Sequence, residues 1–351
     1  MPREIVHWDI LHRAIERLPK ASCRDLSNIA REHPACLALG AIAHDAPYYR
    51  HGGGSSFEWI GSLLHGLGGT REDHDTLRLL SVFGAKASSI SDSSTRAASL
   101  AFLMGLISHY ATDVVFHPAI FFFTGDYYAI DPKQREVARA KHRLFEVFLD
   151  EDRLTRIETL PWSTSLRALL HSVPPHVLET ICSALSEAVT PAVLSHGAPL
   201  VSTLTNEWRS SLKDIARFQS LFVSEFWGRI AQVLKHLSFG HLHQFEVLFA
   251  RGRRGSHATL HEPWSYRNPV TGDSETASMD EMDERAIALT LSLLNLVQAA
   301  LKAGGVTSTT LLGGVSLNYG IKGSIAEDAT YFSACGFNLP SLWSESSYPR
   351  N

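Results

Sequence analysis

The sequence predicts an all-α protein, a multi-helix bundle followed by a loop-rich C-terminal segment. Three observations carry this. Apolar residues recur at helical spacing through most of the first 250 positions, strand-like alternation is not expected before Gly304, and Gly and Pro cut the chain at helix-length intervals. With 44% hydrophobic and 19% charged residues, the 351-residue chain has ample apolar material for a core.

The elements follow in order. Ile5 to Leu18 is an amphipathic helix that stops at Pro19. A second helix covers Arg24 to Ala41, with Pro34 ending or kinking it, and His44 to Gly54 reads as loop. Phe57 to Leu67 forms a short helix closed by Gly68 and Gly69. Thr95 to Phe116 is the most apolar helix, ending at Pro118, and the aromatic run Phe121 to Tyr128 is a loop or turn. Further helices fit Gln134 to Asp150, Leu166 to Leu170, Pro175 to Leu194, Leu200 to Leu248 with breaks, and Met282 to Ala303. Arg251 to Ser278 is polar and loop-like, and the Gly-, Ser- and Thr-rich chain from Gly304 suggests loops or a small hairpin. A helical domain over residues 1–250 and an extension over 251–351 packed on the same domain are expected.

A net charge of -4 argues against a nucleic-acid binder that relies on a broad basic surface. Cys23, Cys36, Cys182 and Cys335 form no CxxC pair, which excludes a cysteine-based metal site, and reduced thiols are the default. The N-terminus enters an amphipathic pattern without an apolar leader, so a cytoplasmic protein, or one exported without a cleaved signal, is expected. No transmembrane segment is expected either, because His109, Asp113 and His117 interrupt the most apolar run.

The eighteen histidines are the compositional outlier, and their positions are informative. His109, Asp113 and His117 stand four apart, which lines them along one face of a helix. His142 and Glu146 repeat the spacing on the next helix. A lone HxxxD pair is usually a solvated ion pair. Here, however, the pair interrupts a helix of Leu103, Met104, Leu106, Ile107, Val114 and Val115, where an unpaired charge costs several kcal/mol. A metal removes that cost, so a metal cluster between the helices is expected. Nitrogen and oxygen donors without thiolate suit zinc, ahead of manganese or iron. His7, Asp45 and His65 are polar residues in similarly apolar settings, although each alone reads as a capping or surface residue.

Taken in order, these residues resemble the zinc-dependent phospholipase C family, which includes the N-terminal domain of glycosylphosphatidylinositol-specific phospholipase D. The matching elements are the opening helix with His7, the small-residue turn Gly40-Ala-Ile-Ala-His-Asp45, the segment His65-Gly66-Leu67, then HxxxD with a further histidine, and finally HxxxE. The resemblance implies two or three zinc ions. One would be held by His65, His109 and Asp113, and a second by His117, His142 and Glu146. Asp113 would bridge to a third ion that His7 also binds, and Asp45 would act as ligand or general base. It also implies a phospholipid substrate at a membrane or micelle surface, cleaved to diacylglycerol and a phosphorylated headgroup. Two departures are visible. Secreted members use the mature N-terminal residue on the third ion, whereas six residues precede His7 here. Choline-phospholipid members place an aromatic residue after the aspartate, whereas Ala46 stands here, with Tyr48 and Tyr49 close by as a cation-π face or a packed turn. Trp264 and Tyr266 read as a packed aromatic loop or a lipid entrance, and Arg251, Arg253 and Arg254 as headgroup contacts or solvated charges. The competing function is a single-strand nuclease or nucleotidase with a similar three-zinc site. Nucleic acid is the less expected substrate, since Phe121 to Phe123 beside the motif suit a lipid better.

Overall fold

The structure, a computed structural model, describes residues 4–18, 23–50, 55–66, 75–154, 156–195, 201–222 and 258–333. It is helical throughout most of this length: α1 (Glu4–Glu16), α2 (Arg24–Glu32), α3 (Pro34–Ala43), α4 (Ser55–Leu64), α5 (Thr76–Ser88), α6 (Ser93–Thr124), α7 (Pro132–Asp152), α8 (Leu166–Ser172), α9 (Pro175–Ser195), α10 (Val201–Phe222), α11 (Ala258–His261) and α12 (Met279–Lys302). A two-stranded antiparallel hairpin, β1 (Trp264–Arg267) and β2 (Ser274–Ala277), lies between α11 and α12.

The long α6 is the axis of the bundle. Its N-cap Asp92 accepts from the Thr95 backbone N–H at 2.7 Å, and its middle turns are buried on nearly every face. α3 crosses it at backbone contact. A methyl group added at Gly105 would lie 2.2 Å from the Leu37 carbonyl oxygen, and one at Gly40 would lie 2.1 Å from that of Phe102. Only glycine at both positions permits this approach, which brings the end of α3 against His109. α1, α5, α7, α9 and α12 also pack on α6.

Several sequence expectations are corrected here. Of the two outcomes expected at Pro34 the helix ends, but a second one follows at once: α2 stops at Glu32, and Pro34 is the first residue of α3 after a break at His33. Pro118 does not end α6, which runs on to Thr124, so Phe121 to Phe123 are helical rather than a turn. Losing one helical N–H at Pro118 costs about 3 kcal/mol. Burial of Phe116, Ile120 and Phe123 against Val6, Ile10, Phe145 and Trp264 returns about 1.5–3 kcal/mol per side chain and holds the helix together. α5 was not anticipated, although Asp75 caps it and Leu77, Leu80, Phe83 and Ala87 bury one face. The stretch assigned to loop before Ser278 contains the hairpin. Its four-residue alternation is too short to read, and Trp264 and Tyr266 project from it into the core beside Phe145. No strand follows Gly304 among the described residues. The stretches 223–248 and 251–254, with Arg251, Arg253 and Arg254, lie outside the described residues, as does Cys335. Cys23, Cys36 and Cys182 are all buried.

α12 lies against α1 and α6, opened by a capping box between Ser278 and Glu281. A buried ion network ties it down. Arg153, the residue that caps the C-terminus of α7, meets Asp283 at 2.5 Å and Asp9 at 3.4 Å, and Arg13 reaches the other Asp283 oxygen at 2.6 Å. Beyond α12, the chain laces back over α5 and α6. The Asp75 carboxylate accepts from the backbone N–H groups of Gly313 and Gly314 at 2.7 Å each, and Leu317 N–H donates to the His65 carbonyl. By length and composition α6 and α12 could each cross a bilayer, but 89% of the apolar stretch of α6 is buried inside the protein. The corresponding stretch of α12 is 39% buried, and the helix opens on the charged residues Asp280, Glu281, Asp283, Glu284 and Arg285.

Candidate metal centre

Five segments bring the candidate residues to one place. His7 comes from α1, Asp45 follows α3, His65 follows α4, His109, Asp113 and His117 come from α6, and His142 and Glu146 from α7. All eight are buried. The four-residue spacing on α6 places His109, Asp113 and His117 in a stripe, and the Asp113 carboxylate sits at the middle of it. One of its oxygens is 3.0 Å from His109 Nε2 and 3.4 Å from His65 Nε2; the other is 3.6 Å from both His7 Nε2 and His117 Nε2. Asp45 Oδ1 lies 3.3 Å from His65 Nε2 and 3.9 Å from His109 Nε2. On α7, His142 Nε2 is 2.9 Å from Glu146 Oε1, with His117 Nε2 at 3.9 Å from that same oxygen.

Three sets of donor atoms are compact enough to hold a metal ion: His65, His109 and Asp113; His117, His142 and Glu146; and His7, Asp45 and His109. The first two are the sets that the resemblance implied. In the third, His7 is grouped with Asp45 and His109, while its nearest Asp113 oxygen stays at 3.6 Å.

The imidazoles are held in a defined sense. His109 Nδ1–H donates to the Ala41 carbonyl at 2.7 Å, His65 Nδ1–H to that of Gly61 at 2.8 Å, and His117 Nδ1–H to that of Leu317 at 3.1 Å. Each bond fixes the tautomer and leaves the Nε2 lone pair facing the carboxylates, an arrangement that metal-binding histidines commonly show. The inward atoms then lack hydrogen-bond geometry despite their short separations. Nε2 of His109 and His117, both nitrogens of His7, both oxygens of Asp113 and Oδ1 of Asp45 are buried without a hydrogen-bond partner. So many orphaned polar atoms converging on one point are costly in a native core and are satisfied by a cation. The donor set, nitrogen and oxygen in threes with no thiolate, fits zinc.

Charge distribution agrees. Burial pushes His7 down to about 3 and His117 to about 4, so both stay neutral with a lone pair available. Burial also acts against charge on His65, but Asp113 and Asp45 outweigh it and raise that histidine to about 10. Burial opposes ionisation of Asp45, yet His109 and His65 hold its carboxyl down at about 2. The carboxylates therefore impose positive charge at the centre, where a metal ion would take the place of protons.

Sequence reading missed His44. It is buried, stacks on the far side of His109 from His7 with ring centres 4.7 Å apart, and leaves Nδ1 without a partner. Its position next to Asp45 was the available signal. Tyr48 also belongs here, its hydroxyl 3.5 Å from His65 Nδ1, whereas Tyr49 packs on Phe218 of α10. Phe121 and Tyr127 wall the outer group, their ring centres 4.8 and 5.2 Å from that of His142. Trp264 and Tyr266 are core residues rather than part of an entrance.

Fold and site together define an all-helical protein with a buried histidine–carboxylate centre of the kind that binds several metal ions. A family model described as zinc dependent phospholipase C matches residues 6–185, more than half of the chain and all eight candidate residues. The chain belongs to the zinc-dependent phospholipase C family. Comparison with curated proteins and with solved structures finds no match.

Proposed function

We propose that this protein hydrolyses the phosphodiester bond of phospholipids in the phospholipase C manner, releasing diacylglycerol and a phosphorylated headgroup, with two or three zinc ions. The observation that supports it most is the convergence of buried Nε2 and carboxylate atoms around Asp113 and Glu146 in groups compact enough for an ion, within the span that matches the family. Bound zinc supplies neutralisation of the phosphate charge and activation of water near neutral pH. The chain's own residues supply the rest. His65, His109 and Asp113 hold one ion, His117, His142 and Glu146 another, and His7 with Asp113 or Asp45 a third. The carbonyl oxygens of Ala41, Gly61 and Leu317 keep three imidazoles aimed by accepting hydrogen bonds from their Nδ1–H groups. Asp45, whose Oδ1 has no hydrogen-bond partner, accepts a proton from the attacking water at that oxygen. Phe121 and Tyr127 limit water around His142.

The test offers zinc-loaded protein short-chain phosphatidylcholine, phosphatidylethanolamine and a single-stranded oligonucleotide in one buffer, with chelator controls. Chelator-sensitive release of diacylglycerol is the expected result. Oligonucleotide cleavage with a higher kcat/KM than any phospholipid would overturn the proposal in favour of a nuclease.

A further inference from the structure

One surface beside the centre runs against the protein's overall charge. Between Lys133 and Arg143 the first half of α7 carries five cations, Lys133, Arg135, Arg139, Lys141 and Arg143, against the single carboxylate Glu136, in a chain of net charge -4. The first turn of α7 has no acidic residue beyond its N-cap Asp131. Lys133 and Arg135 there sit near the positive end of the helix dipole, where acidic residues are the stabilising choice. A local rule broken in this way is characteristic of a functional surface.

The spacing shows where that charge leads. Arg135, Arg139, His142 and Glu146 follow one another at i, i+4, i+7 and i+11, so one face of α7 runs from arginines to the outer metal group. The Arg139 guanidinium lies over the Tyr127 ring, 4.8 Å from its centre, and that same ring meets His142 edge-on, with ring centres 5.2 Å apart. Arg139 Nε–H donates to the Tyr127 carbonyl at 3.3 Å, and Arg135 donates to that of Ala129 at 3.0 Å. Both side chains are therefore laid along the 125–130 turn, half-buried. Arg143 is exposed one helical turn on from Arg139, and the charges of both act on the Tyr127 hydroxyl. Among the described residues no carboxylate pairs with Arg139. The nearest acidic side chain of that turn, Asp126, instead accepts from Tyr128 N–H. A partly desolvated guanidinium with its terminal nitrogens free, one ring away from a metal group, is a receptor for an anion.

We propose that Arg139, backed by Tyr127 and flanked by Arg143, is a headgroup subsite that selects phospholipids whose headgroup carries its own carboxylate or phosphate. The proposal rests on the phospholipase reading above and names its substrate class. Aromatic cages suit quaternary ammonium, but the Tyr127 face that could serve here is already taken by the chain's own cation.

The test uses phosphonate analogues of dihexanoyl phosphatidylserine and phosphatidylethanolamine, in which carbon replaces the scissile oxygen. The two differ by one headgroup carboxylate, and both are offered as monomers to the zinc-loaded full chain in a calorimeter. The serine analogue should bind at least tenfold more tightly. Arg139→Gln should bring that ratio close to one, Arg139→Lys should keep part of it, and Arg167→Gln, an exposed arginine on α8, should keep it all. Equal binding of the two analogues by the wild type overturns the proposal, as does equal weakening of both by Arg139→Gln or a collapsed ratio in Arg167→Gln. Turnover of the parent lipids is measured separately, so failure to hydrolyse either one refutes the phospholipase reading without touching the binding ratio.

Discussion

Asp113→Asn separates a metal-binding centre from a buried polar network, because only in a metal centre does the cost of the substitution depend on zinc. The substitution keeps volume and shape while removing the one charge placed within 3.0–3.6 Å of four imidazoles. Disturbing groups that merely orient metal ligands lowers affinity by about 10–100-fold, so loss of a central carboxylate should reach at least the upper figure, about 2.7 kcal/mol at fixed free zinc. Unfolding entropy near Tm is about 2.1 cal/mol/K per residue, or roughly 0.7 kcal/mol/K for this chain, so the zinc-loaded Tm should fall by about 4 °C. In chelator the same change removes both a buried charge and its attraction to His65. These effects oppose each other, and the shift should stay within about 1–2 °C. Differential scanning calorimetry of both proteins, with and without saturating zinc, reads the difference directly. Equal losses in the two conditions would mean that Asp113 is only a structural group, and the metal assignment built around it would fall.

Other outcomes follow from the same geometry. Asp45→Asn should retain most of the zinc by elemental analysis yet lose about 10²–10⁴ in kcat; proportional loss of zinc and rate would make Asp45 a plain ligand. Gly105→Ala should destabilise the protein by about 1–3 kcal/mol in a denaturant titration, since its Cβ has no room against Leu37, and an unchanged midpoint would show that α3 can move away. Burial raises the Asp283 carboxyl, but Arg153 and Arg13 more than offset this and hold it below its ordinary 3.8. A depressed carboxyl contributes stability above about pH 3.8 that is lost as pH falls through the folded value. Wild-type Tm should therefore drop on acidification below that point. Asp283→Asn should start lower, since it leaves Arg153 undercompensated, and decline less steeply. Parallel pH curves for the two proteins would remove Asp283 from the acid response.

How much was legible depended on the range of the forces involved. The helical class and the i, i+4 stripes of α6 and α7 are local, set by spacing along one element, and they could be read directly. The end of α6 could not, because Pro118 is a local stop signal that burial of Phe116, Ile120 and Phe123 overrides. α5 was readable from Asp75 and its apolar spacing and was overlooked, whereas the hairpin at Trp264 is too short for any periodicity to declare itself.

The centre divides in the same way. By its own spacing the sequence determined which polar side chains share a face, and the order of His7, Asp45, His65, HxxxD and HxxxE pointed to a family. Tertiary structure alone decided that Gly40 and Gly105 let α3 close on α6, so that Ala41 can orient His109. It also decided that the chain after α12 returns two hundred residues later to present the Leu317 carbonyl to His117. It stacked His44 behind His109 and laid Arg139 across Tyr127. These contacts join segments distant in the chain. They form only when burial of α6 draws those segments together, and no periodicity within a single element encodes them.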